Sequence, residues 1–431
     1  MILNFKQLNT KSPLSVCVID NCGGFYISTA KRLSEFFETT YYYSVNQSPF
    51  PRMSIDSVGK GYDNIIKMDE FWANIDLFDV IVFPDIYFND WGKHLREMGK
   101  LVWGGCESEV LETNRKVFKQ ELEAAGMPVA PTKYIMGVSE LENFLSSVKD
   151  RWIKISYYRG ELETFHHIDM PHTKQWLNEI TYKMGPMAEQ IEFLIEDPIE
   201  SIAEIGCDGW AINGQYPEQL VWGCEVKDMG YVGKRANYTD LPAPIQDVNA
   251  KFMPILKKYN HTGFYSNEIR YTEAGVPYYT DACMRAGSPP SNVYLAMIDN
   301  WAEIITAGCK GELVQPNFIA EYGVEIMLKS PYCNEGYLNI SYPEEYKENI
   351  RLKGCFKVGD VEYIIPFPQA AFDMEDFGSV VVVGDNLEEI INKALEIASS
   401  VEGYRVHYNA AALPEAIEKL NGIQEALKIK F

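Results

Sequence analysis

Apolar runs of strand length alternate with helix-forming stretches through the first hundred residues, and this alternation restricts the possible folds more than any other feature. The strand candidates are Leu14–Asp20 (LSVCVID), Asp79–Phe83 (DVIVF) and Lys100–Trp103 (KLVW), and a helical stretch covers Ser28–Phe37. Buried strands that alternate with helices are typical of an open parallel sheet. The sequence therefore predicts an α/β (α+β) protein that begins with such a sheet.

Two glycine pairs, Gly23-Gly24 and Gly104-Gly105, follow these strands. Ligands usually bind in the loops at the carboxyl ends of parallel strands, so both pairs are candidate substrate contacts. Tight turns are the commoner reason for such pairs. These loops contain neither a GxGxxG dinucleotide fingerprint nor a GxxxxGK[ST] phosphate loop, so a nucleotide would have to bind in another way.

Further along the chain, a hairpin pattern brings two acids together. Apolar residues from Gly263 lead to Glu268, residues 273–275 (EAG) turn the chain, and a second run returns it to Asp281, which Arg285 follows. Neighbouring carboxylates repel one another unless a cation lies between them, and hard oxygen ligands suit Mg²⁺. The arginine adds a planar donor for phosphate. The pattern fits either a magnesium and phosphate site or an ordinary surface hairpin.

Composition places the chain among globular proteins. Its 431 residues are 46% apolar and 23% charged, which suits about two to four domains. The apolar runs are too short to span a bilayer, and the first residues lack the pattern of an export signal. Nine cysteines without a CxxC pair favour free thiols in a reducing compartment. We therefore expect a soluble, cytoplasmic protein that does not bind membranes.

The net charge is −22 at pH 7. Affinity for a nucleic-acid backbone comes from clustered Lys and Arg, so this charge argues against nucleic-acid binding. The six histidines show no metal-binding spacing. Any bound nucleotide is therefore expected to be small and to be accompanied by a metal ion.

The middle of the chain contains an amphipathic helix around residues 114–122 and then a strand, Trp152–Ser156, in which Lys154 interrupts the apolar residues. A lysine in such a strand needs an anionic partner. The next loop, residues 157–161, has a single glycine, so any phosphate cradle there is reduced. Residues 193–199 form an apolar strand that ends in acids and a proline.

In this order, these segments resemble the ATP-grasp superfamily, and most closely its phosphoribosylamine–glycine ligase branch, over nearly the whole chain. In the C-terminal part, residues 329–332 (KSPY) and a strand at 379–385 followed by a helix at Leu387–Ser400 are similar to the branch. The resemblance implies an ATP-grasp fold in three parts, namely an N-terminal Rossmann-like domain (residues 1–111), an ATP-grasp domain (112–325, with a lid subdomain at about 132–192) and a C-terminal α/β domain (326–431).

The resemblance assigns two cationic residues to the nucleotide phosphates. In the family, a helix that reads sK..f...l...GiP precedes the lid, and Arg115 stands where its phosphate-binding lysine stands, with Lys116 beside it. The substitution at position 115 keeps the positive charge. The lysine of the family's lid strand matches Lys154.

The family's hinge, usually EEfl, hydrogen-bonds adenine through its backbone and matches residues 196–199. Glu196, Asp197 and Ile199 are therefore assigned to the nucleotide. Pro198 has no backbone N–H, which leaves Ile199 as the donor to the ring. The acid that binds the ribose matches Glu204, one residue later than usual.

The remaining assignments concern the metal and the transfer step. Glu268 and Asp281 match the family's two metal acids, and Lys227, in a segment similar to the family's DhKr, is placed near the phosphates. Arg285 matches the arginine of the family's E.N.R, in which Cys283 replaces an asparagine that often helps to hold a second magnesium. Because a thiol is a poor magnesium ligand, the number of metal ions stays open at one or two.

Together these residues imply an ATP- and Mg²⁺-dependent carboxylate–amine ligase, in which phosphoryl transfer makes an acyl phosphate that an amine attacks. Its substrates would be a small carboxylate and an amine, and the family's C-terminal domain often joins a homodimer interface. Residues 286–291 (AGSPPS) differ from the family's FGDPE, which would fit an unusual acceptor such as a peptide, a modified base or a sugar amine. The alternative is a non-catalytic ATP-binding or assembly protein that keeps the fold.

Overall fold

The structure is a computed structural model that describes residues 11–45, 54–155, 164–367, 375–429 and 431. The chain divides into two compact units, each built from segments that are not contiguous in sequence. The first unit comprises Met1–Glu109, Ile205–Glu268 and Ala282–Phe431, and the second comprises Val110–Glu204 and Ile269–Asp281. The finer division into three domains at residues 111 and 325 stays a prediction.

The first unit begins with the parallel sheet that the sequence predicts. Its strand order is β3-β2-β1-β4-β5, and all four pairings are parallel. Its elements are β1 (Ser12–Asp20), α1 (Ile27–Leu33), β2 (Phe37–Ser44), β3 (Ile66–Met68), β4 (Val80–Val82), α2 (Asn89–Glu97) and β5 (Leu101–Trp103). The helix predicted over Ser28–Phe37 is wrong at its end, because Phe37 is fully buried as the first residue of β2.

The direction of winding reverses at β1 in this sheet. Strands β2 and β3 lie on one side of β1, and β4 and β5 lie on the other. Such a reversal opens a crevice at the carboxyl ends of the two strands that flank it, which here are β1 and β4. The loops that follow Asp20 and Val82 therefore border the crevice.

The second unit contains a small antiparallel sheet of order β6-β9-β7-β8. Its elements are α3 (Val110–Thr113), α4 (Arg115–Ala124), β6 (Thr132–Met136), α5 (Val138–Leu145), β7 (Arg151–Ile155), β8 (Thr164–His167), α6 (Met170–Met184) and β9 (Glu192–Glu196). Helix α4 confirms the helix predicted around residues 114–122. Its start is fixed by Asn114, whose Oδ1 accepts a hydrogen bond from the backbone N–H of Val117 at 3.1 Å.

The predicted hairpin of the two acids is confirmed. It is formed by β14 and β15, and across the turn the Thr272 N–H donates to the Val276 carbonyl at 3.1 Å. The elements of this middle region are β10 (Ser201–Ile205), β11 (Cys207–Ile212), β12 (Gln219–Val226), β13 (Gly230–Asn237), α7 (Ala243–Lys258), β14 (Thr262–Thr272), β15 (Pro277–Cys283), α8 (Ser291–Met297), α9 (Trp301–Gly308) and β16 (Tyr322–Lys329).

The C-terminal part of the first unit extends the larger sheet, in which β14-β11-β12-β13-β16-β21-β18 are neighbours. Its elements are β17 (Leu338–Ser341), β18 (Ile350–Leu352), β19 (Cys355–Val358), β20 (Val361–Ile364), β21 (Asp376–Gly384), α10 (Leu387–Ser400), β22 (Glu402–Gly403) and α11 (Ala412–Leu427). Helix α10 has the predicted bounds. Among the described residues, every helix is too short or too polar to span a bilayer.

Candidate functional site

The sheet of the second unit has two chemically different faces. Side chains alternate along β7, so Ile153 and Ile155 point to one face and Trp152 and Lys154 to the other. Trp152 lies directly opposite Glu196 of β9, so these two side chains share a face. The first face joins α5 and α6 in one hydrophobic core, built from Ile135, Leu141, Leu145, Ile153, Ile155, Phe165, Leu177, Ile180, Phe193 and Ile195. Charged side chains therefore gather on the face away from that core.

Glu196 binds two lysines on this charged face. The Nζ of Lys119, from α4, lies 2.6 Å from Oε1 of Glu196, and the Nζ of Lys154, from β7, lies 3.2 Å from its Oε2. The side chains are only 12%, 10% and 8% exposed for Lys119, Lys154 and Glu196. Lys154 thus has the anionic partner that the sequence predicts, and the three groups together carry a net positive charge.

The two lysines keep the buried carboxyl ionised. Burial by itself would raise the pKa of Glu196, but Lys154 and Lys119 outweigh it and hold the pKa of this carboxyl below its ordinary value. Burial also lowers the pKa of Lys119, which Glu196 opposes, and the nearby charges of Lys154 and Arg115 lower it further. Lys119, Lys154 and Arg115 therefore form one cationic cluster within the second unit.

Arg115 makes an ion pair with Asp281. Its Nη1 lies 3.3 Å from Oδ1 and 3.2 Å from Oδ2 of the carboxylate. The arginine side chain is 6% exposed, whereas that of Asp281 is 41% exposed. The structure thus brings together the residue that the sequence assigns to phosphate and one that it assigns to metal.

The segment after Glu196 borders a cavity of about 670 Å³ within the second unit. The backbone N–H of Asp197 donates to the Pro131 carbonyl at 3.1 Å, and the carboxylate of Asp197 lies 3.1 Å from Nε of Arg151. Ile199 is half-buried. The cavity is lined by Ala130, Pro131, Asp197, Pro198, Ile199, Glu200, Thr272, Glu273, Ala274, Val276 and Tyr278. Since the N–H of Asp197 is already bonded and Pro198 has none, Ile199 stays the best candidate for a backbone donor to a base.

Glu204, the acid assigned to a ribose, is paired with an arginine. Its Oε2 lies 3.3 Å from Nη2 of Arg270, and its side chain is half exposed. The guanidinium of Arg270 also lies 5.5 Å from the ring centre of Trp152, and His166 stacks on that ring at 4.6 Å. Trp152 therefore contacts both a cation and an aromatic ring on the charged face.

In the first unit, Arg285 lies at the crevice of the parallel sheet. Its Nε is 3.9 Å from Oδ1 of the buried Asp85, which follows β4. The N–H of Ala286 donates to the Pro84 carbonyl at 2.8 Å, and the hydroxyl of Tyr26 donates to the Ala286 carbonyl at 3.1 Å. The chain around Arg285 is thus fixed to loops that follow β1 and β4.

Asp20 orders the first of these loops. Its carboxylate accepts hydrogen bonds from the N–H groups of Cys22 (2.7 Å) and Tyr26 (2.8 Å) and from the hydroxyl of Tyr42 (3.0 Å). The side chain is fully buried, and burial raises its pKa although these donors oppose the shift. Asp20 therefore has a structural role in holding the loop in place.

The glycine pairs in these loops serve packing. Gly24 has φ +94°, and a Cβ there would lie 2.7 Å from the Cα of Gly354. Gly104 has φ +78°, and a Cβ there would lie 2.3 Å from the Phe83 carbonyl oxygen. Backbone conformation and close approach therefore require glycine at both positions, and no substrate needs to be invoked.

Three sequence-based assignments stay predictions. Lys227 is exposed on the turn between β12 and β13, and Glu268 is half-buried on β14. The loop 157–161, read as a reduced phosphate cradle, lies outside the described residues. Within the described ranges, no three His, Cys, Asp or Glu side chains form a group that could hold a metal.

The donor chemistry nevertheless suits magnesium. The side chain of Asp281 is partly exposed and already faces a cation, and carboxylate oxygen is the ligand type that Mg²⁺ prefers. Magnesium usually takes one or two protein carboxylates and fills its other positions with water and phosphate oxygens. The type of ligand that Asp281 offers therefore suits the metal, and the assignments of Asp281 and Glu268 to magnesium stay predictions.

Sequence reasoning missed four residues that the structure places at these sites. Lys119 lies one helical turn after Arg115, and Asp85 lies two residues after a predicted strand, so spacing alone could have indicated both. Trp152 and Arg270 are far apart in sequence, and only folding brings them together.

No protein-family model matches the sequence, and no curated protein matches it either. Solved structures do match over most of the chain. A phosphoribosylamine–glycine ligase from Thermotoga maritima has a TM-score of 0.67 at 15% identity, with 92% of this chain and 99% of that chain covered. A biotin carboxylase from Campylobacter jejuni, in complex with β,γ-ATP, has a TM-score of 0.63 at 12% identity, with 93% and 99% covered.

An L-amino acid ligase from Bacillus licheniformis has a TM-score of 0.56 at 13% identity, with 93% of this chain and 100% of that chain covered. These proteins share the ATP-grasp fold, and this chain has it too, as the sequence predicts. Identities this low establish the fold and leave the activity to be argued from the site.

Proposed function

We propose that this chain, which has the ATP-grasp fold, is an ATP- and Mg²⁺-dependent carboxylate–amine ligase. The observation that carries the proposal is the cationic cluster of the second unit, in which Lys119 and Lys154 share Glu196, and Arg115 faces Asp281. A buried excess of positive charge favours a polyanion such as the phosphate chain of a nucleotide. The cavity that starts at Asp197 would take the base, with the N–H of Ile199 as donor and Glu204 near the ribose.

Arg115 and Asp281 would exchange partners when the nucleotide binds. In the structure they neutralise each other. Phosphate oxygens would take the guanidinium of Arg115, which fits them in a planar fork, and the carboxylate of Asp281 would become a magnesium ligand. The assignment of Glu268 to magnesium rests on the resemblance alone. Bound magnesium would neutralise charge on the phosphates.

The reaction would proceed in two steps. A carboxylate oxygen of the first substrate attacks the γ-phosphorus, the bond to the β-bridging oxygen breaks, and acyl phosphate and ADP form. The amine nitrogen then attacks the acyl carbon, phosphate leaves with the bonding electrons, and the proton lost by the nitrogen passes to the released phosphate. Arg285, fixed beside Asp85, would stabilise the negative charge that develops near the acceptor, and Lys227 would assist at the phosphates.

The substrate class follows from the resemblance and from the similar proteins. The phosphoribosylamine–glycine ligase and the L-amino acid ligase are each named for an amino acid substrate, so we propose a small amino-acid-like carboxylate and a small amine. The same resemblance supports a homodimer, and nine cysteines without a CxxC pair support a reducing compartment such as the cytoplasm. The segment AGSPPS at 286–291 favours an acceptor other than phosphoribosylamine.

One observation favours a second candidate, a non-catalytic ATP-binding or assembly protein. Cys283 stands where the family often has an asparagine that helps to hold a second magnesium, and its thiol lies 3.5 Å from the carbonyl of Arg285. Sulfur is a poor ligand for magnesium. A protein with a single metal could bind ATP without turning it over.

The test is ADP release from MgATP in the presence of a panel of amino acids and amines. We expect Glu268→Ala and Asp281→Ala each to lower ADP formation by about a hundredfold or more, with unchanged folding by circular dichroism. Glu312→Ala, which removes an exposed acid outside these sites, is the control. Full turnover in both acid variants would exclude them as magnesium ligands. Tight ATP binding without ADP release under every substrate pair would support the binding-protein candidate.

A further inference from the structure

Lys119 lies on the same face of helix α4 as Arg115. Residues four apart on a helix lie on the same face, and both side chains are nearly buried. Lys116, on another part of the same helix, is 46% exposed and lies 3.7 Å from Glu192. The helix therefore directs Arg115 and Lys119 inward and leaves Lys116 in solvent.

A purely structural ion pair does not need two lysines. One lysine is enough to compensate a buried carboxylate, and a second desolvated ammonium costs free energy unless another anion also binds it. Both lysines lie within hydrogen-bonding distance of Glu196 through different oxygen atoms. Each ammonium has three N–H donors, so each keeps donors for a further anion.

We propose that Lys119 is a second lysine that binds the phosphate chain of the nucleotide, and that the Glu196 side chain is the positioning residue that aims Lys119 and Lys154 at it. This inference rests on the proposed function. It assigns to the Glu196 carboxylate a role separate from the backbone contact with adenine that the resemblance implies.

The side chains of Glu196, Lys119 and Lys154 have different roles in binding. The carboxylate of Glu196 fixes both ammonium groups before the ligand arrives, so little side-chain entropy is lost on binding. The net positive charge that remains is available for phosphate oxygens. A ligand without phosphates, such as adenosine, gains nothing from Lys119.

The test compares three variants on helix α4 by isothermal titration with MgADP. Lys119→Met removes the charge and leaves the pair of Glu196 and Lys154 intact. Lys119→Arg keeps the charge. Lys116→Met is the matched control, because it removes a lysine that α4 exposes to solvent. We expect Lys119→Met to raise the Kd for MgADP about tenfold or more and the other two variants to stay within about threefold of the wild type.

Saturation-transfer NMR with adenosine separates a phosphate contact from a structural role. If Lys119 and Glu196 only stabilised the fold, their replacement would also weaken the binding of adenosine. We expect equal adenosine signals from the wild type, Lys119→Met and Glu196→Gln, although both variants bind MgADP more weakly. An unchanged Kd for MgADP in Lys119→Met, or a parallel loss of adenosine binding, would overturn the inference. A wild type that binds neither MgADP nor MgATP would instead contradict the proposed function itself.

Discussion

At the scale of single residues, buried ionisable groups in this protein are stabilised by specific partners. Glu196 stays ionised because two lysines reach it, and Asp20 accepts three hydrogen bonds inside its loop. His261, which precedes β14, is 1% exposed, and its Nδ1 lies 2.7 Å from Oγ of Ser108. Burial lowers the pKa of His261 to about 4.

This shift of His261 predicts an acid-dependent stability. In the unfolded chain, histidine has a pKa of about 6.5, so between pH 6.5 and 4 the unfolded state binds more protons than the folded one. The free energy of unfolding should therefore fall by about 3 kcal/mol as the pH falls through this window. His261→Asn should lack this part of the pH dependence in urea unfolding at a series of pH values. The same dependence in the variant would show that other groups cause it.

At the scale of elements, alternation along β7 separates stability from ligand binding. Ile153 is fully buried in the core with α5 and α6, whereas the next residue, Lys154, lies on the charged face. Neighbouring residues on one strand therefore have different roles, because one packs in the core and the next lies on the charged face.

Truncation on the core face should cost stability. We expect Ile153→Ala to lower the free energy of unfolding by about 2 to 4 kcal/mol, because it leaves a cavity in a packed core. Met136→Ala on β6 of the same sheet is the control, since that side chain is 50% exposed and should contribute less than about 0.5 kcal/mol. Denaturant unfolding measures both, and equal losses would contradict the assignment of the two faces.

At the scale of the whole molecule, the net charge of −22 opposes the binding of a free polyanion. The cationic cluster offsets this locally, and magnesium would neutralise part of the charge of the nucleotide. The proposed function therefore requires the metal for tight binding.

Removal of Mg²⁺ tests whether nucleotide binding requires the metal. When the free MgATP concentration is about one hundred times its Kd, the free energy of unfolding should rise by about 2.7 kcal/mol. ATP with EDTA at the same concentration should stabilise the protein much less, because its affinity should fall about tenfold or more. Thermal unfolding measures both conditions. Equal stabilisation with and without Mg²⁺ would exclude a magnesium-dependent nucleotide site.

The sequence predicts strands and helices well where pattern and packing agree. The parallel sheet, the hairpin of the two acids and helix α10 are confirmed, since each depends on local periodicity and on turn residues. The end of α1 is wrong because burial of Phe37 in β2 outweighs local helix propensity. Of the site residues, those assigned by resemblance to ATP-grasp proteins stay predictions.

By itself the sequence determined the positions of several strands and helices and of the charged residues along them, because hydrophobic periodicity is a local property. The ATP-grasp fold was predicted by the resemblance to that family. Only the tertiary structure decided which charges meet. Lys119 and Lys154 share Glu196, Arg115 faces Asp281, and Arg270 lies over Trp152. These pairs join residues that are distant in the chain, and their partners depend on how sheet faces and helices pack, which spacing along a sequence does not record.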